Sequence, residues 1–382
     1  MNYKLINEFP NEMLQKTNEP CLSIYMPTHR LIVDNRKDVL VFKNLVKEAV
    51  ASLEQKYSKR DISPLVSLLK QMEIDFELWN HSLDGLAIFA TLDEMIIYRT
   101  EKTFQPIAII SDSFHIKPLI QYYQAVENFT LLALESESFA LYQGNHLEIK
   151  PIALPENTKI TLAEVLGNQH TENYQTHGGY AGASDNATFH GHGGKADEEE
   201  IDRIKYFRHV DRFVHEDISK KNKLPLILVA LKANHFDFKN VSTNPFLLEE
   251  AIDGSYNSFQ EQELKTKLKS INDKRFDNII NQATEHYHNL KSKDLSSDQL
   301  IIVLKALLAA RVDTLMIEAD KIIPGKIDIE NQQIKPSNLD DPKTDDLLDD
   351  MVQHALKTGA KIYLLEPEKM PSTSGVAATF RF

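Results

Sequence analysis

Thr176-His-Gly-Gly-Tyr-Ala-Gly-Ala-Ser-Asp-Asn-Ala-Thr-Phe-His-Gly-His-Gly-Gly-Lys195 has almost no apolar periodicity, and it ends where a long amphipathic segment begins. Five of the chain's 13 glycines fall between Gly178 and Gly193, and Gly194 adds a sixth. A loop of this length inside a compact domain is uncommon and is usually functional or disordered. From about Asp197 to Asp217, Ile201, Ile204, Phe207, Val210, Phe213 and Val214 recur at helical spacing and predict the buried stripe of a helix. Asp197 to Glu200 fall in its expected first turn, where carboxylates favour the positive end of the helix. Before the loop, Phe129 to Leu134, Phe139 to Tyr142 and Leu147 to Ile152 read as strands, with a turn at Gly144-Asn145. After the helix, Leu224 to Leu231 reads as a buried strand. Together these make a domain of mixed α/β character over 128–258 that carries the Gly-rich segment, about 167–195, as its distinctive feature.

On the amino-terminal side, Cys21-Leu-Ser-Ile-Tyr-Met-Pro27 alternates, is rich in strand formers and stops at Pro27. Apolar residues at helical spacing predict a helix over Asp38 to Tyr57, and Ser63-Pro64 reads as an N-cap and first position of a second. Leu83 to Phe89 and Met95 to Arg99 form a predicted hairpin, followed by a strand at Ile107 to Ser111. A first α/β domain therefore covers 1–127. On the carboxyl side, helices over Gln260 to Leu290 and Ser297 to Ala309 precede a strand at Thr314 to Glu318. A mobile acidic connection is expected from Gly325 to Asp346, then a helix over Leu347 to Lys357 and a strand over Lys361 to Leu365. These complete a third domain, 259–382, expected to be an α/β sandwich.

Bulk composition fits this division. A chain of 382 residues exceeds one ordinary core, and 42% hydrophobic with 26% charged residues is globular. The single cysteine, Cys21, excludes an intrachain disulfide and any multi-cysteine zinc site. The amino terminus lacks the basic and apolar regions of a signal peptide, and no apolar run reaches the roughly 20 residues of a membrane span. A cytoplasmic protein is expected, with no membrane partner. The net charge of −13 argues against an electrostatically driven nucleic-acid binder, and no DNA partner is expected. The basic cluster Lys220-Lys221-Asn222-Lys223 reads as a solvated loop.

The Gly-rich segment admits three readings. Glycine lets another backbone approach closely, and a Gly-Gly pair before a helix leaves main-chain N–H groups that can hold an oxyanion or phosphate. On this reading Gly193, Gly194 and the N–H of Lys195 form a catalytic or positioning tip. Alternatively, His177, His190 and His192 with a nearby carboxylate form a metal site, since His-x-His places two rings on one face of a strand. The third reading is a plain loop with solvated histidines.

Phe189-His-Gly-His-Gly-Gly-Lys195, leading into a helix with Arg203, Phe207, His209 and Val214, resembles the His-Gly-x-Gly-Gly-Gln segment of the archaeo-eukaryotic peptide-chain release factors and their Pelota-type paralogues. Ser82-Leu-Asp-Gly-Leu-Ala-Ile-Phe89, Phe104-Gln-Pro106 and Ser113-Phe-His115 resemble the second half of that family's first domain. Lys305-Ala-Leu-Leu-Ala-Ala-Arg-Val-Asp-Thr-Leu-Met-Ile317 and the terminal Gly375-Val-Ala-Ala-Thr-Phe-Arg-Phe382 resemble parts of its third. Ser23-Ile-Tyr-Met-Pro-Thr-His29 resembles the bacterial branch. The resemblance implies a three-domain release-factor-like architecture with an RNase H-like middle domain. It implies Gly193, Gly194 and Lys195 as the catalytic segment, with His190, His192 and Arg203 contacting substrate. The implied partners are the ribosome and tRNA, and no cofactor is implied. The implied activity is hydrolysis of a peptidyl-tRNA ester in codon-independent ribosome rescue. A non-catalytic ribosome-binding factor and a metal-dependent hydrolase are the alternatives.

Two departures from the family pattern bear on that activity. Position 195 is lysine where the family has glutamine, which keeps the main-chain donor and replaces an amide by a cation. The Asn-Ile-Lys-Ser and Tyr-x-Cys elements that read stop codons are absent, so termination at stop codons is not expected. Elsewhere, Trp79 is expected as a packing anchor and Cys21 as a core residue. His29-Arg30 could touch RNA or simply end a strand, and Asp237 and Asp253 are available carboxylates in the middle domain.

Overall fold

The computed structural model describes residues 2–7, 9–31, 34–167, 193–329, 331–336 and 345–382. It is a mixed α/β structure, and it divides into two compact units, Met1–Ala125 with Phe276–Phe382, and Val126–Arg275. The first unit thus holds residues from the first expected domain and residues 276–382 of the third, while 259–275 fall in the second unit.

That unit opens with a five-stranded sheet built from β1 (Tyr3–Leu5), β2 (Thr17–Pro27), β3 (Gly85–Ala90), β4 (Met95–Thr100) and β5 (Ile107–Ser113) in the order β1-β4-β3-β2-β5. Alternate residues of a strand face opposite sides, and here both sides are dry. Leu22, Ile24 and Met26 pack with Phe42, Leu45 and Leu65 of α1 (Asn35–Lys56) and α2 (Lys59–Met72). Cys21 and Tyr25 point the other way, into a core with Phe89, Phe114, Leu304 and Leu348. Two-sided burial explains why these strands read as nearly continuous apolar runs. Trp79, in α3 (Phe76–Asn80), is buried edge-on against Phe42 and donates its indole N–H to the Met72 carbonyl at 2.7 Å. α2 begins earlier than expected: Ser58 accepts from the main-chain N–H of Asp61 at 3.3 Å, and Pro64 lies inside the helix. The Ser58-x-x-Asp61 cap outweighs the Ser63-Pro64 signal, because a side-chain acceptor satisfies an orphan N–H directly.

The carboxyl part of the same unit follows α4 (Lys117–Tyr123) in space. In the second unit β6 (Phe129–Leu134), β7 (Phe139–Gly144), β8 (Ile149–Pro151), β9 (Leu226–Ala230) and β10 (Leu247–Asp253) form one sheet in the order β10-β9-β6-β7-β8. Both β9 and β10 run parallel to β6, and β7 is antiparallel to its neighbours. Numbered within the unit the order is 3-2-1-4-5, that of an RNase H-like sheet. One face carries Leu132, Leu134, Leu226 and Leu228 under α5 (Leu162–Leu166), α6 (Gly193–Phe213) and α8 (Lys232–Val241). The other carries Leu131, Ile227 and Val229 under Leu264, Leu268 and Ile271 of α9 (Glu261–Lys291). Between α6 and β9 the chain makes a π-helical turn, Val214–Ser219, and a last short turn, α7 (Lys220–Asn222). There Lys220 and Lys221 pair with Glu216 and Asp217 at 2.6 and 3.2 Å, so two of the cluster's three lysines are partnered by the preceding turn.

Beyond α9, β11 (Ser296–Ser297), β12 (Val312–Glu318), β16 (Lys361–Leu365) and β17 (Val376–Phe380) form a sheet in the order β11-β17-β12-β16. It is flanked by α10 (Leu300–Leu308) and α11 (Leu347–Thr358). The stretch read as an acidic connection contains strands: β13 (Pro324–Asp328) pairs with β14 (Gln333–Pro336) and with β15 (Asp345–Asp346). Nor are its carboxylates all on the surface. Asp346 caps α11, accepting from Leu348 N–H and Ile323 N–H at 3.1 Å each, and it pairs with the buried Lys117. Asp349 is 1% exposed and accepts the main-chain N–H groups of Ile116 and Lys117 at 2.9 and 2.8 Å. Gln353 donates to the Phe114 carbonyl at 2.8 Å. The Ser113-Phe-His115 segment is therefore held by the first turns of α11. At the sheet edge Gln124 bonds both Leu364 N–H and its carbonyl, at 2.8 and 2.7 Å, taking the place of a neighbouring strand.

Candidate functional site

Helix α6 starts at Gly193, four residues before the position expected from periodicity. Gly193, Gly194 and Lys195 are consequently the first turn of the helix rather than a loop preceding it, and their N–H groups are among the four with no partner within a helix. Asp197 to Glu200 lie in the second turn instead of the first, where coupling to the macrodipole is weaker. His177, His190 and His192 lie outside the described residues. Among the described residues, no group of three or more His, Cys, Asp or Glu side chains is placed to hold a metal ion.

The body of α6 is fixed on several sides. Tyr206, Phe207, Val210 and Val214 are fully buried among Leu132, Leu134, Leu228 and Phe238. The expected stripe is rotated: Ile201 is 54% exposed, whereas Asp202 and Asp211 are buried. The reason is polar. Asp211 accepts the Thr243 N–H at 2.9 Å, its hydroxyl at 3.2 Å and the Ser242 hydroxyl, which ties α6 to the end of α8. Asp202 holds Lys205 at 3.0 Å. The Tyr206 hydroxyl donates to the Ile160 carbonyl at 2.6 Å. Burial pushes His209 below the usual imidazole range, which makes it a neutral packing residue. Below it, Asn244 donates to the Ser219 hydroxyl at 2.9 Å within the π-turn.

Arg203 and Asp237 are brought together across α6 and α8 at 2.7 Å, both partly buried. Arg203 lies eight residues beyond Lys195, roughly 12 Å along the helix at 1.5 Å per residue. Its guanidinium therefore braces the shaft of the helix and is not gathered with the Gly-Gly turn. Asp253 ends β10 at the surface. Asp211 and Asn244, which do most to fix the helix, carry no sequence motif; their only signal is a polar residue standing inside an apolar period.

A helix whose first turn is Gly-Gly and whose shaft is locked to its sheet presents main-chain N–H groups from a rigid support. Residues 127–274 match the model of bacterial archaeo-eukaryotic release factor family 6. The match begins and ends within one residue of the compact unit Val126–Arg275. No curated protein matches the chain. Solved structures similar to this chain include an archaeal translation termination factor, aRF1, at 14% identity, covering 97% of this chain and 95% of that one with a TM-score of 0.25. Archaeoglobus fulgidus Pelota is similar at 11% identity over 78% and 79% of the two chains, with a TM-score of 0.34. Saccharomyces cerevisiae Dom34, described as a translation termination-like factor, is similar at 12% identity over 78% and 74%, with a TM-score of 0.35. Among the described residues no helix is long and apolar enough to cross a membrane.

Proposed function

We propose that this release-factor-like chain is a ribosome-associated rescue factor that acts without reading a codon, and that α6 delivers Gly193, Gly194 and Lys195 to the ester of a peptidyl-tRNA. Water is the nucleophile. The Lys195 main-chain N–H donates to the oxyanion that develops on the ester carbonyl. As the acyl–oxygen bond breaks, the tRNA oxygen leaves with the proton that the water gives up. The observation that carries this reading is the Gly-Gly pair in the first turn of an anchored helix. Glycine costs about 1 kcal/mol relative to alanine in a helix interior, so helix stability does not favour it there. Close backbone approach does. Ribosome pelleting with the purified full chain, with peptide release followed in parallel, tests the proposal. No sedimentation at any salt concentration overturns it.

One observation favours a second reading, a ribosome-binding factor without hydrolysis. Position 195 is lysine, and Asp197 to Glu200 follow immediately, so the tip carries mixed charge where the family has a neutral amide. Cosedimentation without turnover selects this reading. The metal-dependent alternative through His177, His190 and His192 is disposed of by elemental analysis showing no bound metal together with activity indifferent to chelator.

A further inference from the structure

The chain enters the second unit at Val126, and its first residues there are fastened to the part of α9 in the same unit by a clasp of polar groups. Arg275 donates to both carboxylate oxygens of Glu127, at 2.7 and 3.0 Å. Asn272, one helical turn before Arg275 and 2% exposed, donates its amide N–H to the Glu127 carbonyl at 3.3 Å. The same nitrogen lies 3.4 Å from Nδ1 of His146, which is 7% exposed. His146 is presented by the turn between β7 and β8. There Asn145 accepts the main-chain N–H groups of Leu147 and Glu148 at 2.9 and 3.1 Å and donates to Asn128 at 3.0 Å.

These contacts decide the state of the ring. A carbonyl oxygen only accepts, so the nitrogen of Asn272, and not its oxygen, faces Glu127 and with it His146. An amide nitrogen only donates, so Nδ1 is an acceptor and the ring is neutral. The surroundings agree. Burial, and then the charge of Lys269, hold His146 below the usual imidazole range, with Asp273 opposing and Lys265 adding to the effect. Glu148, in the same turn, is exposed and pairs with Lys150 at 3.0 Å.

We infer that His146 is an acid-sensitive release: a proton taken up at Nδ1 sets N–H against N–H at Asn272 and frees the Glu127 segment from α9. The released ring binds protons as an ordinary imidazole and the clasped ring binds them less well. The clasp is therefore at full strength above about pH 6.5 and weakens as pH falls below it. With an ordinary imidazole in the released state, the released population gains at most about 25-fold between pH 7 and pH 5. The clasp uses none of the residues of the α6 tip, and it stands whether or not that tip hydrolyses an ester.

Cutting of the full chain after Glu127 by a Glu-specific endoprotease active across this range reports release directly. The carboxylate must leave Arg275 and the main chain must leave Asn272 before that bond is accessible. Rates are read from the fragment masses and divided by those of an unstructured reference peptide at each pH. The wild-type relative rate rises about tenfold from pH 7 to pH 5. His146→Asn keeps an acceptor oxygen for Asn272 and cannot titrate, so its rate stays flat. Asn272→Ala lacks the link, so it is cut faster than wild type at pH 7 and loses the pH dependence. Thermal melts by circular dichroism at pH 7 confirm that each variant is folded, and either variant alone suffices for the test. A flat wild-type profile, a rise that survives in His146→Asn and so places the proton on Glu127 itself, or an undiminished rise in Asn272→Ala overturns the inference.

Discussion

Replacing Asp349 by alanine is expected to unlatch the two sequence-distant halves of the first unit. Asp349 Oδ1 accepts the main-chain N–H groups of Ile116 and Lys117 at 2.9 and 2.8 Å, and the side chain is 1% exposed. Alanine leaves both donors buried with no acceptor, and an unsatisfied buried donor costs about 1–3 kcal/mol. Two such donors, with partial relief from an entering water, give an expected loss of about 3–5 kcal/mol. Asp349→Asn keeps an acceptor oxygen in place and loses only charge assistance, so about 1–2 kcal/mol is expected. Trp79 is the chain's single tryptophan and is buried in this unit. Its fluorescence during urea unfolding therefore reports this unit alone, and a shift of midpoint at constant slope is the quantity to read. If Asp349→Ala shifts the transition by less than 1 kcal/mol, the two N–H groups are satisfied some other way and the latch reasoning fails.

The neighbouring His115 gives a pH test. Its ring is buried, lies 3.3 Å from Asp349 without a hydrogen bond to it, and is depressed to about 3 by burial and by the Lys117 charge. The unfolded chain therefore binds a proton that the folded chain refuses between about pH 6.5 and pH 3, so stability is full above that window and falls as pH drops through it. His115→Asn should flatten that part of the Trp79-detected profile. Gly194→Ala should leave the middle unit as stable or slightly more so by hydrogen exchange of α6, because alanine is the better helix former, while peptide release drops. Arg203→Ala should cost about 1–2 kcal/mol, since it strands the partly buried Asp237. The double variant with Asp237→Ala should lose less than the two single changes added together.

Periodicity revealed most of the elements, because the strands of both units are buried on both faces and the long helices repeat apolar residues over many turns. It failed where polar groups decide. Ser58 displaces the start of α2, Asp211 rotates the buried face of α6, and Asp346 and Asp349 turn an acidic stretch into a buried clasp. None of these can be read without knowing what lies opposite. The Gly-Gly segment was legible from composition and its resemblance to release factors. Its place in the first turn of α6 was not, since two glycines carry no helical signal of their own. The Arg203–Asp237 and Arg275–Glu127 pairs join residues whose spacing has no periodic meaning, and only the fold brings them together.

Single-turnover release of labelled peptide from ribosomes halted without a stop codon tests the proposed chemistry most directly. With binding followed in the same samples, the wild-type chain should release peptide while Gly194→Ala binds equally and releases at the background rate. Release by Gly194→Ala at the wild-type rate, or binding by the wild type with no release at all, would contradict hydrolysis at the α6 tip.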